Sequence, residues 1–331
     1  MFKKMSILSI LLLTAGFLSV IAQEAKVKVG CIAFYNLENL YDTIDDPRTD
    51  DAEFLPGGAN DWTSKRYLLK INNMSEVISQ IGDEFIQGGP SIIGVSEIEN
   101  HRVLEDLIST PRLKKSGYAI VQFDSPDSRG VDVALLYREK DFTVTNAKVV
   151  KLTVNWDAKF KTRDQLVVSG LFDGDPLTVI VNHWPSRGHG SEYRMAAGKL
   201  TRSIVDSLLK INKDAKIIVM GDLNDDPVDP SIKKNLNTIM YNPMLQMFKN
   251  GIGSLAYRDS WNLFDQIILS KAWLRENGVK GYSFYKAKVF NRKFLITKEG
   301  QYSGYPFRTF AGGAFLGGYS DHLPVYIFIT K

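Results

Sequence analysis

The stretch Lys216-Ile217-Ile218-Val219-Met220-Gly221-Asp222-Leu223-Asn224-Asp225-Asp226 decides how the rest of the chain is read. A strand-length β-branched and apolar run, closed by glycine and followed at once by acids and an amide, describes a buried strand that delivers polar groups at its carboxyl end. Alone, the stretch is equally well explained as a Gly-Asp turn. Its recurrence is not.

Three more runs end the same way. Val27 to Tyr35 leads into Asn36-Leu37-Glu38-Asn39, Ser91 to Val95 into Ser96-Glu97-Ile98-Glu99-Asn100, and Leu177 to Val181 into Asn182-His183-Trp184. Two runs do the reverse: Asp265 opens Gln266 to Leu269, and Ser320-Asp321-His322 opens Leu323 to Ile329. If those two strands run antiparallel to the other four, all six sets of polar groups reach one rim. Of the four histidines, two sit at these strand ends, each beside an amide or carboxylate. A lone histidine or strand-end acid is ordinarily a solvated or packed group; the combination points to hydrolytic chemistry.

Val131 to Tyr137 and Leu166 to Leu171 read as further strands. Helical periodicity is clearest over Ser64 to Ile81 and Glu192 to Leu209, with shorter helices expected over His101 to Ser109 and after Asp229. Strands with a few interspersed helices favour two packed mixed or antiparallel sheets with helices on the outer faces.

The chain opens with Lys3 and Lys4, an apolar run from Ile7 to Ile21, and a small residue at Ala22, the order of a cleavable export signal. We therefore expect a leader over 1–22, one domain over 26–331, and an exported monomer, periplasmic or extracellular, without stable membrane insertion. Losing Lys3 and Lys4 leaves 39 basic against 37 acidic residues, a net of +2. Bulk charge of that size does not bind polyanions, so phosphate recognition must be local. The single cysteine, Cys31, lies in an apolar run and is expected to be a buried core thiol. With no H-E-x-x-H motif and no cysteine cluster, a structural zinc site is disfavoured. Oxygen-rich candidates favour Mg²⁺ or Mn²⁺, with Ca²⁺ possible.

Taken in order, Phe34 to Asn39, Ile93 to Glu97, Asn182 to Trp184, Gly221 to Asn224, Asp265 to Ile267 and Ser320 to His322 resemble the successive motifs of the endonuclease/exonuclease/phosphatase (DNase I-like) family. The resemblance implies a four-layer α/β sandwich. By motif position it implies that Asn36 and Glu97 hold a divalent cation, with Asp321 near enough to contribute, that Asp222 orients or deprotonates the attacking water, and that Asn224 binds phosphate. His183 and His322 would donate to phosphate oxygens, with Asp265 behind His322. Some deoxyribonucleases of the family place a glutamate behind the histidine equivalent to His183. This sequence has none there, and Asp132 and Arg129 are the nearest polar residues.

The motifs look most like those of secreted bacterial nucleases of the family, which makes a nuclease or phosphodiesterase the first expectation. Arg129, Arg163, Arg187 and Arg194 are candidates for a phosphate-facing cluster, and Trp261 for stacking on a substrate base. A sugar, inositol or lipid phosphatase on the same core is the alternative. A non-catalytic binding module is the alternative of another class, although none of the essential positions is replaced.

Overall fold

The computed structural model describes residues 27–331; the expected leader lies outside the described residues. In chain order the strands are β1 (Val29–Leu40), β2 (Ile92–Ile98), β3 (Tyr118–Gln122), β4 (Asp132–Arg138), β5 (Phe142–Val150), β6 (Gln165–Phe172), β7 (Asp175–His183), β8 (Ile217–Asp222) and β9 (Met240–Tyr241). They continue with β10 (Leu255–Tyr257), β11 (Ser260–Asn262), β12 (Asp265–Ser270), β13 (Ser283–Val289), β14 (Phe310–Ala311), β15 (Ala314–Phe315) and β16 (Val325–Thr330). The helices are α1 (Ser64–Gln80), α2 (His101–Ser109), α3 (Ser191–Ile211), α4 (Pro230–Lys233) and α5 (Met244–Lys249).

Two six-stranded sheets run β13-β16-β1-β2-β4-β3 and β5-β6-β7-β8-β12-β9. Period-two alternation sorts β1 between two cores: Ile32 and Phe34 face the space between the sheets, while Cys31, Ala33 and Tyr35 face the layer that holds α1. From α1, Tyr67, Ile71, Met74 and Ile78 fill that outer layer at helical spacing. Ala197 and Val205 of α3 pack on Ile180, Ile217 and Val219 on the far side of the second sheet. The result is the expected four-layer sandwich of helix, sheet, sheet and helix. Its sheets approach closely at Gly94, where a Cβ would lie 2.6 Å from Met220 Sδ. No helix among the described residues is long and apolar enough to cross a membrane.

The strand directions place the site. β1 and β2 are parallel, and β16 is antiparallel to β1. β7 and β8 are parallel, and β12 is antiparallel to β8. His183 is therefore in register with Asp222, and Asp222 with Asp265, while Asn36 is opposite Ser96. All six motifs reach one edge of the sandwich. There the ladders slip, between Asn36 and Leu40 and between Ser96 and Ile98, and Glu38, Asn39 and Glu97 take φ of 50°, 51° and 59°. Such irregularities at strand ends re-aim side chains, and left-handed backbone at non-glycine residues is held only where the surroundings enforce it.

Candidate active site

Asp222 is the hub. It is buried at the end of β8. Its Oδ1 accepts from the Asn224 amide at 2.9 Å and its Oδ2 from Asn36 Nδ2 at 3.1 Å. The same Oδ2 is 3.7 Å from His183 Nε2 and 3.8 Å from His322 Nε2. His183 Nε2 also lies 3.8 Å from Glu97 Oε1, and His322 Nε2 lies 3.9 Å from Asp321 Oδ1. These separations are too long for direct hydrogen bonds and suit an interposed water or substrate oxygen.

Asp265 opens β12 with no exposed surface. Its Oδ2 accepts from Ser254 Oγ at 2.5 Å and pairs with His322 Nδ1 at 2.7 Å. Burial works against a charged His322, but Asp265, Asp321 and Asp222 outweigh it and hold the imidazolium pKa well above its ordinary value. His183 is shifted the other way: burial, then the charges of Arg163 and Arg129, push its pKa well below the usual range. Its Nδ1 has no hydrogen-bond partner among the described residues. Asp132, one of the two nearest polar residues in the sequence, is bonded to Ser125 and Gln122. The two histidines thus differ in charge near neutral pH, and both can donate from Nε2. Burial, opposed by His322 and reinforced by Asp265, raises the Asp222 carboxyl to about 7, a range matched to taking and returning a proton.

Several oxygens at this rim are left for a cation. Glu97 uses Oε2 to accept from the Asn39 amide at 3.0 Å and keeps Oε1 free of any donor among the described residues. Asp321 pairs its Oδ2 with Arg308 at 2.9 Å, leaving Oδ1. Asn36 Oδ1 accepts from the Glu38 amide at 2.9 Å and keeps a second lone pair. This all-oxygen set fits a hard divalent ion. A second grouping was not foreseen: one ligand atom each from Asp222, Asp265 and His322 lie within 4.8 Å of one another. The hydrogen bond between Asp265 and His322 already occupies part of that set.

Three of the residues expected to bind substrate are placed otherwise. Arg194 is buried, and its guanidinium is held by Asp225 Oδ1 at 2.7 Å and by the Ser186 and His189 carbonyls. It is a scaffold group. Arg187 is tied to Asp226 at 3.2 Å and Asp229 at 2.9 Å and lies over the Phe264 ring. Trp261 lines a separate groove against Lys286 to Val289 rather than the rim. Arg129 remains beside the site, with its charge acting on Glu97 and His183. Arg163 is buried against Asp127 at 2.9 Å. Asn224 donates its side-chain amide to the Trp184 carbonyl at 3.0 Å.

Sequence reasoning missed a buried ionic cluster behind Asp321. Lys70 projects from α1 toward Glu38 at 3.8 Å and donates to Thr309 Oγ1 at 2.7 Å. Glu38 accepts from Arg308 Nε at 3.1 Å and from the Thr309 amide at 2.7 Å. Burial lowers the Lys70 pKa and raises that of Glu38, and each restrains the other. One signal was present: Lys70 falls within the apolar stripe of Tyr67, Ile71 and Met74, where a lysine needs a buried partner.

A family model described as Endonuclease/Exonuclease/phosphatase family matches residues 31–331. No curated protein matches the sequence significantly. Among solved structures, the chain is similar to D. rerio TDP2 complexed with single-strand DNA product, at 15% identity and TM-score 0.58 over 92% of this chain and 99% of that one. It is also similar to a Bacteroides thetaiotaomicron mannosyl-6-phosphatase, at 16% identity and TM-score 0.56 over 91% and 99%. A Bacteroides vulgatus endonuclease/exonuclease/phosphatase matches at 14% identity and TM-score 0.54 over 91% and 98%. Identities this low speak for the fold alone. The family match, spanning nearly the whole described chain and its six strand-end motifs, shows that the chain belongs to the endonuclease/exonuclease/phosphatase family, whose members hydrolyse phosphoesters and use divalent metals.

Proposed function

We propose that this chain is an exported, divalent-metal-dependent hydrolase of compact phosphomonoesters. The observation that supports phosphoester hydrolysis is the Asp265–His322 pair at 2.7 Å turned toward Asp222, opposite a second imidazole of different charge; the preference for compact monoesters rests on the pairing of the arginines. Asn36, Glu97 and Asp321 are the residues that would hold the cation, which when bound supplies positive charge to neutralise phosphate oxygens. Asp222 orients the attacking water and takes its proton as the water oxygen bonds to phosphorus. The P–O bond to the alcohol breaks, the leaving oxygen takes a proton from solvent water, and Asp222 afterwards returns its own proton to solvent. His322, charged, and His183, neutral, donate from Nε2 to the phosphoryl oxygens, where negative charge builds. Arg129 adds charge from the Glu97 side.

The nuclease reading keeps its motif resemblance, yet of its four candidate arginines Arg163 and Arg194 are buried on Asp127 and Asp225 and Arg187 is paired with Asp226 and Asp229, which leaves Arg129 beside the site. With a mature net charge of +2, little remains to track a polymer. Parallel assays with Mg²⁺ on p-nitrophenyl phosphate, a hexose 6-phosphate and supercoiled plasmid decide between the readings. Phosphate release with intact plasmid is expected; nicked plasmid without phosphate release would restore the nuclease. Export is tested by fractionating cells that express the full chain.

A further inference from the structure

Beside the rim, on the Asp321 side, a cleft of about 640 Å³ opens between the β10–β11 hairpin and the loop that precedes β14. Its size falls within the roughly 300–1,000 Å³ of small-molecule sites. Glu38, Asn39 and Arg308 line it together with Asn60, Arg258 and Asp259. We propose, resting on the phosphomonoesterase reading above, that this cleft is the leaving-group pocket and that it takes a polyhydroxylated alcohol, a hexose or polyol, rather than a nucleobase.

Three observations support this. First, Arg308 belongs to both places: Nη2 pairs with Asp321 and Nε with Glu38, and Nη1 makes no hydrogen bond among the described residues while the side chain lines the cleft. A substrate with its phosphate at the rim brings its first hydroxyls to that nitrogen. Second, the chemistry of the wall is mixed. Carboxylate, amide and guanidinium groups together suit vicinal hydroxyls, each of which donates and accepts. Five rings line the cleft, Phe54, Tyr257, Tyr302, Tyr305 and Phe310; Phe54 and Phe310 are crossed at 82°, and Tyr302 and Tyr305 at 59° with centroids 6.0 Å apart, so neither pair forms a parallel slot for a flat base. Third, the arch over the cleft is latched. Tyr305 Oη donates to Asp259 Oδ1 at 2.7 Å and accepts from the Asp259 amide at 2.6 Å. Asp259 and Arg258 take φ of 59° and 49° at the hairpin tip, where two-residue turns favour Asn-Gly. Side chains that bring Arg258 and Asp259 to the cleft replace the residues that would fit this backbone without strain.

The test measures steady-state hydrolysis, with Mg²⁺, of a hexose 6-phosphate, adenosine 5′-monophosphate and p-nitrophenyl phosphate, together with calorimetric binding of free hexose and myo-inositol. The hexose phosphate should exceed the nucleotide in kcat/KM by about tenfold or more, a margin set by hydroxyl partners left unpaired when the base binds. Tyr305→Phe and Asp259→Ala should each raise KM for the hexose phosphate about fivefold with kcat within about twofold, and change KM for p-nitrophenyl phosphate less. Trp261→Ala, on the other side of the same hairpin, should leave the ratio between substrates as in wild type. A nucleotide handled as well as the hexose phosphate, or latch variants that shift all three substrates alike, would overturn the pocket assignment. If no monoester is hydrolysed, the phosphomonoesterase reading fails, and the pocket stands or falls on whether the free polyols bind.

Discussion

Asp265 holds the Nδ1 side of His322 at 2.7 Å while its own Oδ2 is fixed by Ser254 at 2.5 Å. The imidazole is thereby oriented by one strand of the second sheet although it enters from the first. That relationship joins the two sheets at the reacting centre.

Replacing Asp265 by asparagine removes the anion that most favours the His322 imidazolium. The histidine pKa then falls, so the alkaline limb of the pH–rate profile moves to lower pH. Turnover at pH 8 drops more than at pH 6, and His322→Ala costs more than either, about 10² or greater. The same shift has a stability consequence. A histidine whose pKa is raised by folding contributes stability that is complete below its unfolded value of about 6.5 and is lost as pH rises through the folded value. The pH dependence of urea unfolding should flatten above about pH 6.5 in Asp265→Asn. An unmoved alkaline limb would remove His322 from that role.

Lys70→Met leaves Glu38 buried with one cationic partner fewer. Breaking a buried pair of this kind costs about 3 kcal/mol, measured as a fall in the urea midpoint at constant slope. Adding Glu38→Gln should recover part of the loss, because the uncompensated charge goes with it. A Lys70→Met protein as stable as wild type would show that Arg308 alone satisfies Glu38.

The same reasoning separates Arg194 from substrate. Arg194→Ala should destabilise the fold by about 3 kcal/mol, because the buried Asp225 keeps the Ser231 hydroxyl but loses its closest cation, while KM for a small phosphomonoester measured below the unfolding transition stays within about twofold. A large rise in KM without loss of stability would return Arg194 to the binding surface.

The central strands were legible because burial on both faces forces an apolar run, and the rim was legible because those runs stop abruptly at polar residues. The edges were not. β3, β5 and β13 lie at sheet edges, and β5, for example, alternates Thr143, Thr145 and Lys148 with partly buried residues, so it carries no continuous apolar signature. Lys286 and Lys288 on β13 have the character of edge protection rather than of strand formers. At the site, one-dimensional reading found groups on rigid strand ends and missed those supplied by loops and a helix. Arg308, Ser254 and Lys70 are 13, 11 and 32 positions from the residues they support, judged against Asp321, Asp265 and Glu38 in turn. It also misjudged arginines: nothing local distinguishes Arg194, folded inward onto Asp225, from an arginine that faces solvent.

The most direct test of the account is phosphate release from p-nitrophenyl phosphate by wild type, Glu97→Gln and Asp222→Asn, each in Mg²⁺ and in EDTA. The account predicts release by wild type in Mg²⁺ only, a higher Mg²⁺ requirement in Glu97→Gln, and a fall of about 10² or more in Asp222→Asn, which stays folded. Undiminished release in EDTA, or wild-type turnover by Asp222→Asn, would contradict it.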